Sequence, residues 1–141
     1  MRISREFDAP REKVFRTHTD PELVVRWLGP RSHEMRIDHY DCRTGGSYRY
    51  LHVTDGNEFG FYGSFHEVRP SERIIQTFTF EGPPDDVALE RLVLDDLGNG
   101  RTRLTATSLV ESFEACDAFL ASGMEDGIRE SYERLDELLA G

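Results

Sequence analysis

The sequence predicts an α+β fold: a curved sheet of about seven antiparallel strands, two short helices after the first strand, and one long C-terminal helix covering the sheet. Three observations predict it. Turn signals recur through the middle of the chain, at Thr44-Gly45-Gly46, Asp55-Gly56-Asn57, Arg69-Pro70-Ser71, Gly82-Pro83-Pro84-Asp85-Asp86 and Gly98-Asn99-Gly100, and short loops favour a meander of neighbouring strands. The end of the chain carries apolar residues at helical spacing. A chain of 141 residues is also long enough for one core of its own, since a chain of this size buries roughly 68–70% of its unfolded surface.

The elements follow in order. Ile3, Arg5 and Phe7 alternate with Ser4 and Glu6, as a first strand requires. Asp8-Ala9-Pro10 ends it. Asp8 or Ala9 is the expected cap of a short helix, with Pro10 in the first turn, where a missing N–H is harmless, and Val14 and Phe15 on its apolar side. In the second helix Asp20 is the N-cap, Pro21 the first helical residue, and Glu22 lies in the positive first turn. Leu23, Val24, Trp27 and Leu28 form its buried face, and Gly29-Pro30 stops it. Strands are expected at about 34–42, 46–54, 58–68, 73–81, 87–95 and 101–111, with Ile74 to Phe80 the clearest because it is β-branched or aromatic almost throughout.

The last helix is expected over about 113–139. Ser112 is its cap, and Glu114 and Asp117 sit in its first turn. Glu125/Arg129 and Glu130/Arg134 are i,i+4 pairs on a wet face, and Phe113, Cys116, Leu120, Met124, Ser131, Leu135 and Leu138 form the opposite stripe. At ~1.5 Å per residue this helix spans ~40 Å. It can therefore cover an apolar sheet face that two short helices would leave open, with the sheet curling around it. A strongly bent sheet gripping one helix tends to leave space between them. With no repeat, linker or low-complexity tract, residues 1–141 read as one domain.

Composition narrows the function classes. Seventeen Lys and Arg stand against 27 Asp and Glu, a net charge of −10. That sign disfavours nucleic acid and anionic membranes as partners. No apolar run approaches the ~20 residues that span a bilayer, and Met1 to Phe7 lack the apolar core of a signal peptide. Two cysteines, Cys42 and Cys116, make no disulfide framework. These features suit a cytoplasmic protein. The acidic surplus at 85–96 and along the last helix reads as solvated surface.

Catalytic motifs are not evident. His18, His33, His39, His52 and His66 show no HExxH spacing, and the cysteines no CxxC. Neither a GxSxG elbow nor a phosphate-binding glycine loop is present. No metal, cofactor or catalytic residue is therefore assigned. The hairpin strand after Gly45-Gly46 is more informative: Tyr48, Tyr50 and His52 are spaced i, i+2, i+4 and share one face. In the next strand Tyr62, Ser64, His66 and Val68 share one face and Phe59, Phe61, Phe65 and Glu67 the other. Both faces are apolar enough that alternation alone does not say which is inner. Phe78 and Phe80 share a face with Ile74 and Gln76.

Several segments resemble a known family. Phe7-Asp8-Ala9-Pro10-Arg11-Glu12-Lys13-Val14-Phe15 is similar to the opening of the START-like, or SRPBCC, superfamily, whose helix-grip fold is shared with birch-pollen-type allergens. Trp27-Leu28-Gly29-Pro30, Arg43 to Tyr50, Gly63 to Arg73 and Ala121 to Gly127 resemble its single-domain bacterial branch, related to the C-terminal domain of the activator of heat-shock-protein-90 ATPase. The resemblance runs over nearly the whole chain and rests on the order and spacing of these segments. It implies a helix-grip fold with a hydrophobic cavity, the Tyr48 face turned inward, and links to a stress response. Members of this superfamily bind lipids, cyclise polyketides or have no assigned role. Many relatives carry a second tryptophan where this chain has Leu28. The eukaryotic activators use an additional N-terminal domain for much of their chaperone contact, for which this chain has no room.

The expected function is binding of a small hydrophobic or aromatic molecule between the sheet and the last helix, with a non-enzymatic role preferred and catalysis left open. The expected lining is Trp27, Leu28, Tyr48, Tyr50, His52, Phe78, Phe80, Leu120, Gly123, Met124, Gly127 and Ser131. Gly123 and Gly127 are expected to keep space open there, since glycine inside a helix costs ~1 kcal/mol relative to alanine. Close helix–strand packing is the alternative. A cyclase/aromatase-like enzyme and a regulator of a chaperone ATPase are the other functional readings. A homodimer and a chaperone partner stay open.

Overall fold

The computed structural model describes residues 2–82, 86–110 and 124–140. Along the chain come β1 (Arg2–Phe7), α1 (Arg11–Thr19), α2 (Pro21–Trp27), β2 (Glu34–Tyr40), β3 (Ser47–Thr54), β4 (Asn57–Arg69), β5 (Arg73–Phe80), β6 (Val87–Gly98), β7 (Arg101–Leu109) and α3 (Met124–Ala140). The strands form one curved antiparallel sheet in the order β1-β7-β6-β5-β4-β3-β2. From β2 to β7 each hairpin adds the next neighbour, as the short loops dictate. β1 closes the far edge, pairing Ile3 with Ala106 and Phe7 with Thr102 on β7. At the β3–β4 turn Asp55 and Gly56 both take positive φ, 50° and 78°, the left-handed pair that a two-residue hairpin needs.

The helices start where local chemistry allows. Asp20 caps α2 as expected: its Oδ1 accepts the Glu22 N–H at 3.0 Å, and Pro21 follows as the first helical residue. In α1 the expectation needs correction. Neither Asp8 nor Ala9 caps it; Pro10 does, in extended conformation with ψ 157° and no side-chain bond, and its carbonyl accepts the Lys13 and Val14 N–H groups at 3.1 Å. Ala9 is instead buried against the sheet, and its carbonyl accepts the Thr102 hydroxyl at 2.7 Å.

In α3 the described turns bury Ser131, Tyr132, Leu135 and Leu139. Ser112, Phe113, Glu114, Cys116, Asp117, Leu120 and Gly123 lie outside the described residues. The expected Glu130/Arg134 pair gives way to contacts with the loop after α2. Glu130 accepts the Arg31 backbone N–H at 3.0 Å, and Arg134 donates to the carbonyls of Gly29 and Arg26 at 3.0 and 2.8 Å. Those carbonyls sit at the C-terminal end of α2, where a cation is favoured. Ion pairs Arg5–Asp136 and Arg31–Glu137 and the Lys13 bond to the Leu139 carbonyl, 2.8 Å, fix α3 further.

Two clusters of buried side chains lie under the sheet. One joins Phe7, Val14, Trp27, Leu94 and Leu104 to Tyr132, Leu135 and Leu139 of α3. The other gathers Tyr48, Tyr50, Phe65 and Ile74 on β3, β4 and β5. Among the described residues no helix is long and apolar enough to cross a membrane.

Candidate functional site

A cavity of about 520 Å³ opens between β3–β7, the α2–β2 loop and α3. That volume falls within the ~300–1,000 Å³ range of sites for small organic molecules. Its floor is the inner face of the sheet. Register puts Tyr50 opposite Ile37 on one side and Phe61 on the other, and Phe61 opposite Phe80. Ring centroids follow one another at 5.8 Å from Tyr48 to Tyr50, 5.5 Å to Phe61 and 5.3 Å to Phe78, with interplanar angles of 16°, 28° and 26°. Four rings thus form a continuous offset stack, an arrangement that suits aromatic side chains and aromatic ligands alike. The structure settles what alternation in β4 left open: Phe59 and Phe61 face the cavity, whereas Tyr62 is exposed.

The rim is built by the α2–β2 loop. Gly29 takes φ +97°, and any side chain there would collide with the His52 ring. Its N–H donates to Ser131 Oγ at 2.7 Å, and the Ser131 hydroxyl in turn donates to the Gly127 carbonyl at 2.9 Å. Trp27 is buried, its indole N–H bonded to the Thr17 carbonyl at 2.8 Å and its ring stacked 6.1 Å from Tyr132.

Of the residues expected from the sequence, Trp27, Leu28, Tyr48, Tyr50, His52, Phe78, Gly127 and Ser131 lie on this wall. Phe80 does not. It shares the inner face but sits beyond the cavity, packed on Phe61 and Phe59 at 5.3 and 6.3 Å. Leu120 and Gly123 fall outside the described residues, as does the side chain of Met124. Gly127 borders the cavity, but a Cβ there would meet the Pro30 ring at 3.4 Å, so its close neighbour is the loop and not strand backbone.

The polar groups are few. Tyr48 donates its hydroxyl proton to the Thr77 carbonyl at 2.6 Å and accepts from Gln76 Nε2 at 3.4 Å. Burial pushes both the Tyr48 and Tyr50 phenols well up, so they stay protonated. His52 is held neutral, pushed down to about 4 by burial, with His33 and Arg134 adding to the effect. The His33 and His52 rings are 5.9 Å apart, and each has a buried Nδ1 without a partner among the described residues. His18, beneath Trp27, is likewise pushed down to about 4 by burial.

One carboxyl corrects the reading of 85–96 as solvated surface. Glu90 lies on the cavity wall, directly opposite Gln76 on β5 and Ser108 on β7. Gln76 Nε2 donates to its Oε1 at 3.2 Å. Burial pushes the carboxyl up to about 7, with the Gln76 bond opposing. Alternation holds the missed signal: Ala88, Glu90, Leu92 and Leu94 share one face of β6, three apolar residues around one acid. Phe61, His18, His33 and Tyr40 on the wall were missed as well.

A family model described as Activator of Hsp90 ATPase homolog 1-like protein matches residues 8–140. No curated protein matches the chain. Solved structures do. A Rhodobacter sphaeroides protein is 28% identical, over 99% of this chain and 91% of its own, with a TM-score of 0.89. A protein from Arthrobacter aurescens is 29% identical, over 99% of this chain and 84% of its own, with a TM-score of 0.91. DynU16, from the dynemicin biosynthetic locus, shares the fold at 23% identity and a TM-score of 0.71, over 96% of this chain and 46% of its own.

Proposed function

The chain belongs to the Activator of Hsp90 ATPase homolog 1-like family, and from its cavity we infer that it binds a small apolar or aromatic molecule between the sheet and α3. The observation that supports this reading is the stack of Tyr48, Tyr50, Phe61 and Phe78 lining an open space of about 520 Å³. A chain that needed only stability would gain by filling such a space, because each missing contact forfeits dispersion and transfer energy. A flat ligand would restore those contacts by lying along the rings. His18, His52, Tyr48 and Tyr50 are neutral at pH 7 and orient a ligand through hydrogen bonds instead of charge. His52 at about 4 is too weak a base to deprotonate an ordinary substrate group, which favours binding over acid–base chemistry at that residue.

Isothermal titration with 2-naphthalenemethanol, a neutral flat probe, tests the reading. One saturable site in the micromolar to millimolar range is expected, weakened several-fold by Leu28→Trp, which places a larger ring on the cavity wall. Absence of any binding at millimolar probe, or binding untouched by Leu28→Trp, would sink it.

A further inference from the structure

Opposite the histidine rim, the sheet side of the cavity carries a carboxyl. Gln76, Glu90 and Ser108 lie side by side across β5, β6 and β7 on the inner face. Gln76 is oriented from behind: its Nε2 donates both to Tyr48 Oη and to Glu90 Oε1, at 3.4 and 3.2 Å. This leaves Glu90 Oε2 without a partner among the described residues. The groups facing this carboxyl from other elements are phenols: Tyr40 of β2, Tyr48 and Tyr50 of β3, and Tyr132 of α3.

No basic side chain balances it. On the cavity wall the one Lys or Arg among the described residues is Arg91, which alternates to the outer face of β6 and is exposed. Arg5 on β1 is paired with Asp136, and Arg134 with backbone carbonyls and the field of Glu130 and Glu137. His18 and His52 are neutral, and His33 stands at the rim beside His52, its ring 5.9 Å away. At the rim Glu130 adds a second carboxylate. Residues 83–85 and 111–123 contain no Lys, Arg or His at all.

Resting on the reading that this cavity binds a small molecule, we propose that its ligands are aromatic molecules bearing a protonated or hydrogen-bond-donating nitrogen, held by Glu90 with Gln76, and that carboxylates are excluded. A half-buried carboxyl with no Lys or Arg paired to it among the described residues gains most from a ligand that brings a cation, because a charge-assisted bond in a low-dielectric site is stronger than a neutral one. The neighbouring phenol and phenyl faces attract the same charge. A ligand carboxylate at this pole would meet Glu90 with like charge, with no Lys or Arg paired to Glu90 among the described residues.

Three flat probes of one shape separate the terms: 2-naphthylmethylamine, 2-naphthalenemethanol and 2-naphthoate. The amine is expected to bind on the order of ten- to a hundredfold tighter than the alcohol, and the naphthoate more weakly than either. Bound ammonium lowers the Glu90 carboxyl from about 7, so amine affinity should rise as pH rises through 7 and level off, while alcohol affinity should not follow it. Glu90→Gln should bring amine and alcohol to within about threefold of each other, through loss of amine affinity. Alcohol binding with equal or weaker amine binding overturns this proposal and leaves the cavity reading standing; no binding by any probe overturns both. The parent protein's amine-to-alcohol ratio and pH profile decide the matter even if Glu90→Gln fails to fold.

Discussion

Beneath the same sheet lie two interiors built on different terms. Around Phe7 of β1, Leu94 of β6 and Leu104 of β7 the contacts are mostly aliphatic and closed: Val14, Leu104 and Leu135 are fully buried, with Leu94 at 2% exposure. α1 and α3 both press on this half, and Ala9 and Thr102 lock it by a buried bond. Toward β3, β4 and β5 the side chains are large, planar and partly polar, and space remains above them. Small branched side chains interdigitate and leave no gap, whereas rings standing on neighbouring strands stack with one another and keep a flat open surface. The same meander therefore yields a stabilising half and a receptive half, and side-chain shape decides which is which.

Leucine truncation in each half gives the sharpest contrast, because the deleted atoms are the same. Leu104→Ala, in the closed half, is expected to lower stability by about 2–5 kcal/mol. Leu92→Ala, on the cavity wall, widens a space that already exists and should cost below about 2 kcal/mol. Urea denaturation of both variants measures this. Equal losses would mean that the open half is packed in solution, and the comparison would fail.

A second, smaller difference is electrostatic. Glu90 lies in the open half, with its folded-state value raised to about 7 from an ordinary value near 4.5. A raised carboxyl contributes stability that is fully present below the unfolded value and is lost as pH rises through the folded one. Glu90→Gln removes that loss. The variant should therefore gain in melting temperature relative to the parent between pH 4.5 and 7, keep that gain at pH 8, and show the least advantage at pH 4. His18 and His52, lowered to about 4 from 6.5, act oppositely and in both proteins: their contribution is present above 6.5 and lost as pH falls toward 4. A constant difference between parent and variant across pH 4–8 would show that Glu90 is hydrated like a surface acid.

What the sequence conveyed and what it withheld follows the same division. The meander was legible because Gly, Pro, Asn and Asp punctuate it at turns whose backbone demands them; Asp55-Gly56 and Asn99-Gly100 are cases where the positive φ is present. Asp20-Pro21-Glu22 marked a helix start because capping is local chemistry. The Tyr48, Tyr50, His52 face was legible from its period of two. The cavity's polar pole was not. Glu90 stands in a stretch with Asp85, Asp86, Asp95 and Asp96, and charge density argued for solvent. The alternation of Ala88, Glu90, Leu92 and Leu94 pointed inward, and sheet register, which sets Glu90 against Gln76, bears that out. The contacts of Glu130 and Arg134 were hidden for a related reason: helical spacing suggests that the two can meet each other, and nothing in that spacing tells that the end of α2 and the loop after it, 99 to 108 residues distant in sequence, compete for them.

The smallest expected effect lies at the seam of the open half, at Gly127. The sequence suggested that a side chain there is unwelcome, since a glycine inside a helix gives up ~1 kcal/mol against alanine. The geometry is more permissive. Gly127 needs no left-handed backbone, and an added Cβ would meet only the Pro30 ring, at 3.4 Å from Cγ and 3.8 Å from Cδ. Those are van der Waals contacts, tight at the nearer atom, and Pro30 sits on a loop that can give by a few tenths of an ångström. Gly127→Ala should therefore be neutral or stabilising by up to ~1 kcal/mol, seen as a melting temperature unchanged or a few degrees higher. Gly127→Leu would carry its extra atoms past Pro30 toward the cavity, and should weaken 2-naphthalenemethanol binding more than it changes stability. A large loss of stability in the alanine variant would mean that loop and helix are locked as tightly as the closed half, and the boundary between the two interiors would then run along β3 to β5 instead of between α3 and the α2–β2 loop.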